Sequence, residues 1–151
     1  MWSGVGSGRS ISTPKIAEEF DEDGKLDPSQ YIIHFLPGQH KNRDKGGTLR
    51  LGKYPCKIKK GTKTFELYKT TEIEERHRHR YEFNNLFKAH LEQNGMNFPG
   101  IYEKADLVEI AELKDHPFMI GSQFHPEFKS RPTKPHPLFK GFIDAAKKQK
   151  A

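Results

Sequence analysis

The sequence contains one cysteine, Cys56, in 151 residues. A single thiol builds no internal disulfide framework, so bridges do not fix the redox compartment. Long apolar runs are missing too. None approaches the roughly 20 residues that span a bilayer, and the opening residues lack the apolar centre of a signal peptide. A soluble, cytoplasmic protein without a membrane partner is the expectation. Hydrophobic residues are scarce, at 33% against 30% charged, so composition alone does not assure a self-sufficient core. Acidic charge is in deficit: 26 Lys and Arg face 20 Asp and Glu, a net charge of +6. That balance permits anionic ligands such as nucleotides without requiring them. The length suits one ordinary domain.

Two regions divide the chain. Residues 1–28 are rich in glycine, serine and then acidic residues, and are expected to be a disordered tail. Residues 29–151 carry the patterned segments. Residues 31–36 are apolar and closed by Pro37-Gly38, which predicts a buried strand and a turn. Residues 40–47 read as a mobile, polar loop. Residues 48–57 and 62–69 alternate apolar and polar side chains about Lys59-Lys60-Gly61, which predicts a β-hairpin. Asn84 or Asn85 caps a predicted helix over 86–94, with Gly95 as its stop. Strands are expected at 97–102, 107–113 and 118–124. A final helix over 138–150 places Leu138, Phe139, Phe142, Ile143 and Ala146 on one apolar face.

Chemistry concentrates in two stretches. In the first, His125 and Glu127 flank Pro126 after the apolar run Phe118-Met119-Ile120. Extended backbone turns side chains at i and i+2 to one side, and proline disfavours helix at the preceding residue. Histidine titrates near neutrality and a carboxylate can orient it, so the two suit a base-and-orienter pair. A surface loop with no chemical role is the plain alternative. The second stretch is Arg76-His77-Arg78-His79-Arg80-Tyr81-Glu82. If extended, its arginines share one face and its histidines the other. Guanidinium groups hold carboxylates or phosphates bidentately. Glu72, Glu74, Glu75 and Glu82 flank them, and from charge alone a solvated ion-pair network is the simpler reading. His77 and His79 have no further ligand at a zinc spacing, so no metal site is expected. The basic stretch 53–69 interleaves Tyr54, Phe65 and Tyr68, but a solvated face explains it without nucleic acid. Cys56 has no flanking glycine and no following helix, unlike a nucleophile elbow, and reads as a packed strand residue.

These motifs carry a resemblance. Pro37-Gly38-Gln39, Gly46-Gly47-Thr48-Leu49-Arg50-Leu51-Gly52, the run from Glu75 to Glu82 with Asn84, and Gln123-Phe124-His125-Pro126-Glu127-Phe128 are similar to the C-terminal part of the class I glutamine amidotransferase domain of the CTP synthase family. Ser130-Arg131-Pro132 and Pro137-Leu138-Phe139 fit as well. The His-Pro-Glu element alone marks class I amidotransferases generally; the arginine–histidine string and the Gly-Gly-Thr string are more specific.

The resemblance implies an α/β, partly flavodoxin-like fold with a mostly parallel central sheet. It implies His125 and Glu127 as catalytic base and orienter, and Arg80 as the contact to substrate glutamine. The loop before Gly46 resembles a lid tied to the GTP effector response. The whole family enzyme is a ligase of pyrimidine nucleotide biosynthesis and a homotetramer. It passes ammonia from glutamine to a synthetase domain that aminates UTP with ATP and magnesium. The departures are large. The synthetase domain and the first half of the amidotransferase domain, with its Gly-x-Cys-x-Gly nucleophile, have no counterpart in the sequence. Residues 1–28 carry no recognised family motif. The expectation is a portion without glutaminase activity on its own and without a cofactor of its own. The alternative is a non-catalytic module that binds a nucleotide or a partner.

Overall fold

The computed structural model describes residues 15–17, 31–35 and 50–149. Strand β3 (Arg50–Ile58) is the long member of its sheet. It pairs antiparallel along its length with β4 (Glu72–His79) and at its far end with β6 (Met96–Tyr102). Strands β7 (Leu107–Leu113) and β8 (Ile120–Ser122) add antiparallel beyond β6, so β4 and β8 are the edges. In a smaller sheet, β1 (Lys15–Ala17) lies parallel to β2 (Tyr31–Phe35), and β2 antiparallel to β5 (Tyr81–Phe83). Only Arg80 separates β4 from β5, so one run of chain serves both sheets.

The α/β class stands, but two expectations need correction. First, the sheet is not mostly parallel: β1–β2 is the one parallel pair among the described residues. The connections after β6 and β7 are short, and parallel neighbours need long crossovers. Second, residues 62–69 do not complete a hairpin. They form helix α1 (Lys63–Tyr68). The Thr62 hydroxyl accepts the Phe65 N–H at 3.1 Å, and Lys69, at φ 59°, closes the helix. The buried Glu112 carboxylate accepts the N–H groups of Lys63 and Thr64 at 3.2 and 2.9 Å. Capping and an acid at the first turn outweigh the alternation of apolar residues, and the strand that pairs with β3 is β4. Of the stretch 1–28, Lys15–Ala17 forms β1; the rest of it, like the turn at Pro37-Gly38 and the loop at 40–47, lies outside the described residues.

Other elements follow their local chemistry. The Asn84 side chain accepts the Leu86 N–H at 3.1 Å and opens a 3-10 turn (Asn85–Phe87) that runs into α2 (Lys88–Gln93). Gly95, at φ +90°, takes the chain out of it, a conformation glycine adopts freely. Strand β8 is shorter than the predicted 118–124, and a 3-10 turn (Pro126–Phe128) begins soon after it. Helix α3 (Pro137–Gln149) closes the described region. Its predicted apolar face is only partly covered: Leu138 and Gly141 are buried, whereas Phe139, Phe142 and Ile143 are exposed.

Two apolar clusters form the core. Cys56, Ile110, Phe124 and Leu138 make one; Phe83, Met96, Phe98 and Val108 make the other. Strand β7 contributes to both. Strand β6 approaches it so closely that a Cβ on Gly100 would lie 2.6 Å from Ile110 Cγ1. Ile110 is fully buried and has nowhere to move. Gly100→Ala is therefore expected to cost about 1–3 kcal/mol. Urea unfolding measures this, and an unchanged midpoint would contradict the close approach of the two strands.

Candidate functional site

His125 and Glu127 meet. The imidazole Nδ1 lies 2.7 Å from Glu127 Oε1. The contact is made through a turn rather than by strand alternation. His125 is extended (φ −105°, ψ 93°) and Pro126 then starts the 3-10 turn, where its fixed φ suits the first helical position. The His125 N–H donates to the Arg76 carbonyl of β4 at 2.9 Å. The ring stacks on Phe128, with centroids 4.9 Å apart and planes at 18°. Glu127 is 55% exposed in its side chain. Its hydrogen bond to His125, first, holds its pKa below the usual carboxylate range. Because Glu127 engages Nδ1, Nε2 is the nitrogen left for proton transfer to a third group.

Strand β4 has the two faces that alternation predicts. Arg76 and Arg78 are exposed; Glu75 and His77 are buried, and His79 is nearly so. Arg80 sits at the bend between β4 and β5, half-buried, with no hydrogen bond or ion pair to His125 or Glu127 among the described residues. The structure thus unites the predicted pair and places Arg80 at the end of the strand that anchors it. The ion-pair network expected around the arginines does not form. Glu74 pairs with Lys53 at 3.2 Å, Glu75 with His136, and Glu82 with Arg50. Among the described residues no ion pair includes Arg76, Arg78 or Arg80.

The buried face of β4 belongs to a charged cluster that the sequence reading missed. Arg50 Nη1 lies 3.0 Å from Glu82 and Nη2 lies 2.7 Å from Glu109, all three side chains being essentially inaccessible. The rings of Tyr54 and Tyr102 cover the guanidinium at 4.4 and 5.1 Å. The expected alternation of leucine and arginine in this segment is present in opposite phase: Arg50 is buried and Leu51 is 63% exposed. Glu109 offered a readable signal, an acid inside the apolar run Leu107-Val108-Glu109-Ile110, because such a group requires a partner.

Two carboxylates share that one guanidinium, and burial pushes the acids upward. Glu82 rises to about 7, with Arg50 opposing, and Glu109 rises for the same reasons. The histidines shift the other way. Burial lowers His77 to about 3 and His79 to about 4. Their tautomers follow from the hydrogen bonds. The Tyr81 carbonyl, 2.9 Å from His79 Nδ1, only accepts, so Nδ1 carries the hydrogen. His79 Nε2 then accepts from His77 Nδ1 at 2.8 Å. His77 Nε2 is left as an acceptor 3.4 Å from Glu109 Oε2, a position that favours a protonated Glu109.

Cys56 lies apart from this chemistry, as expected of a packed strand residue. It is 2% exposed among Ile110, Phe124 and Leu138, and burial, first, with Glu109 and Glu75, raises its thiol to about 12. A thiol so placed is inert. Among the described residues no group of three or more His, Cys, Asp or Glu side chains is arranged to hold a metal ion, and no helix is long and apolar enough to cross a membrane.

The chain is similar to known proteins in both sequence and fold. The model of the class I glutamine amidotransferase family matches residues 16–145, beginning inside the stretch that carried no recognised motif. CTP synthase of Bacillus subtilis (strain 168) is 60% identical over 124 residues, which cover 81% of this chain and 23% of that enzyme. CTP synthase of Desulfovibrio desulfuricans is 61% identical over 139 residues, covering 87% and 25%. The chain therefore spans about a quarter of the length of the curated relatives it matches. Among solved structures, the glutaminase domain of Trypanosoma brucei CTPS with bound acivicin superposes with a TM-score of 0.74 at 30% identity. That match covers 93% of this chain and 54% of the other. A GMP synthase protein from Thermoplasma acidophilum, at 20% identity and a TM-score of 0.52, shares the fold over 68% of this chain and 46% of its own.

The cluster predicts a pH dependence of stability. His77 and His79 titrate near 6.5 when unfolded and near 3 and 4 when folded. Their contribution is complete above pH 6.5 and is lost as pH falls, because the unfolded chain takes up protons that the folded chain refuses. His77→Gln removes one such proton. Between about pH 6 and 4.5 its stability should fall less steeply than the parent's, by about 1.4 kcal/mol per pH unit. Urea unfolding across this range tests it, and equal slopes would mean that His77 is charged in the folded state.

Proposed function

Since this chain belongs to the class I glutamine amidotransferase family, we propose that it supplies the base-bearing part of a CTP synthase-type glutaminase. In that reaction a cysteine thiolate attacks the glutamine side-chain amide. His125 takes the thiol proton through Nε2 and returns it to the leaving ammonia. Glu127 fixes the tautomer through Nδ1 and stabilises the imidazolium. Arg80 contacts the substrate glutamine. The observation that carries this reading is the 2.7 Å His125–Glu127 contact in a chain of this family.

The thiol is the missing part. Cys56 is buried in the core, with a raised pKa. The nucleophile in this reading comes from the amidotransferase half that the sequence does not contain. The ammonia would go on to amination of UTP to CTP in a synthetase domain, in a cytoplasmic homotetramer. ATP, magnesium and GTP would be held by those other parts. The loop before Gly46, read as the GTP-linked lid, lies outside the described residues.

One observation favours a second reading, a module that binds a nucleotide or a partner without catalysis. Arg76 and Arg78 are exposed on one face, and carboxylates do not neutralise them among the described residues. Binding of glutamine or a nucleotide that survives without turnover and disappears in Arg80→Ala would support it.

The proposal has a direct test. The purified chain is expected to release no ammonia from glutamine above the buffer rate. Adding a polypeptide that carries the glycine-flanked cysteine half should restore release, and His125→Ala should then reduce it at least about 100-fold. Release by the chain alone, lost in His125→Ala, would overturn the assignment of a missing thiol.

A further inference from the structure

The His125–Glu127 turn is fastened to β4 at three successive residues. The Arg76 carbonyl accepts the His125 N–H at 2.9 Å. At the other end of the turn, Lys129 Nζ donates to the Glu74 carbonyl and lies 3.5 Å from Glu75 Oε2. Between them the Glu75 carboxylate, fully buried, points into the molecule. Its Oε1 receives Tyr68 OH at 3.2 Å and His136 Nε2 at 3.1 Å.

His136 carries the connection back to the turn. Its Nδ1 accepts the Leu138 N–H at 3.3 Å, so the ring hydrogen is on Nε2, directed at Glu75. Its own N–H donates to the Ser130 hydroxyl at 3.1 Å. Ser130 in turn donates its N–H to the Pro126 carbonyl at 3.1 Å, inside the turn that holds Glu127. One carboxylate thus reaches the turn by two routes, through Lys129 and through His136 and Ser130. Glu75 Oε2 has no hydrogen bond, and Lys129 is the cation nearest to it in this network.

We propose that Glu75, engaged by Lys129 and His136, is a positioning residue that fixes the 3-10 turn and so the geometry of the His125–Glu127 pair. It touches neither side chain of the pair. Its effect passes through the turn. The proposal deepens the glutaminase reading, since it assigns what aligns the base of that reaction.

The test reads the pair itself and needs no turnover. Glu127 titrates below an ordinary glutamate chiefly because His125 bonds to it; His125 and His136 are the titratable groups acting on it. The Glu127 side-chain carbon can be followed by NMR across pH in the full chain, with His125→Ala marking complete loss. Lys129 is 41% exposed in its side chain, so Lys129→Met removes the ammonium while keeping an unbranched side chain of similar length at the surface. In Lys129→Met and Glu75→Gln the Glu127 titration should move most of the way to the His125→Ala value, while Lys129→Arg keeps it low. A parent-like Glu127 titration in Lys129→Met overturns the proposal, whether or not Glu75→Gln folds. Because no glutamine is involved, the glutaminase reading can fail while this one stands, and the reverse.

Discussion

The Arg50 guanidinium is the joint of the molecule. It starts β3 in the larger sheet, and its two ends meet Glu82 on β5 in the smaller sheet and Glu109 on β7. A buried cation without partners costs several kcal/mol, and here both partners are buried as well. Each of the three is therefore tolerable only where the others are. Hydrophobic contact permits small slips between sheets, but a guanidinium held between two carboxylates and two tyrosine rings does not. Strand β4 runs directly into β5 through Arg80. The position of Glu82 accordingly fixes where β4 ends, and with it the anchor for the His125 turn.

The same residue types behave in opposite ways in this protein, and exposure decides which way. Glu82 and Glu109 are buried beside a cation, yet their pKa values rise, because one guanidinium cannot balance two desolvated carboxylates. Glu127 is exposed beside a histidine, and its pKa falls. His77 and His79 are held neutral by burial and fixed as single tautomers by a chain of hydrogen bonds ending on the Tyr81 carbonyl. They form a rigid dipolar strut. His125 keeps the exposure that proton exchange requires. Of His77, His79 and His125, only the one on the turn is arranged for acid–base work.

Much of this was legible in the sequence, and the failures have physical causes. The alternation of the Glu72–Glu82 run gave the two faces of β4 because a strand leaves no other choice. Asn84 and Gly95 marked their helix ends through chemistry that acts over three residues. The segment at 62–69 misled because Phe65 and Leu67 alternate with polar neighbours, whereas the deciding group, Glu112, lies 48 residues away from Thr64. The phase of β3 was hidden for a similar reason. Nothing local says that Arg50 turns inward, and only the acids at 82 and 109, brought in by other strands, make that orientation possible. The pair at His125 and Glu127 was found by spacing, but a turn rather than a strand brings it together.

The geometry of that pair also says how a third reactant must arrive. Phe128 covers one face of the imidazole, Glu127 occupies Nδ1, and the backbone of His125 is tied to β4. What remains is approach to Nε2 near the ring plane. Cys56 cannot make that approach, because its sulfur is packed between the sheet and α3, with its proton held by burial. In the proposed reading the thiol comes from a separate part of the enzyme, and the pair needs nothing from that part in order to form. Among the described residues, the contacts that shape it come from β4, from Tyr68 of α1, from the turn itself and from the segment that leads into α3. A base assembled wholly from local contacts is pre-organised before the nucleophile is present, which is the condition under which proton transfer requires little further reorganisation.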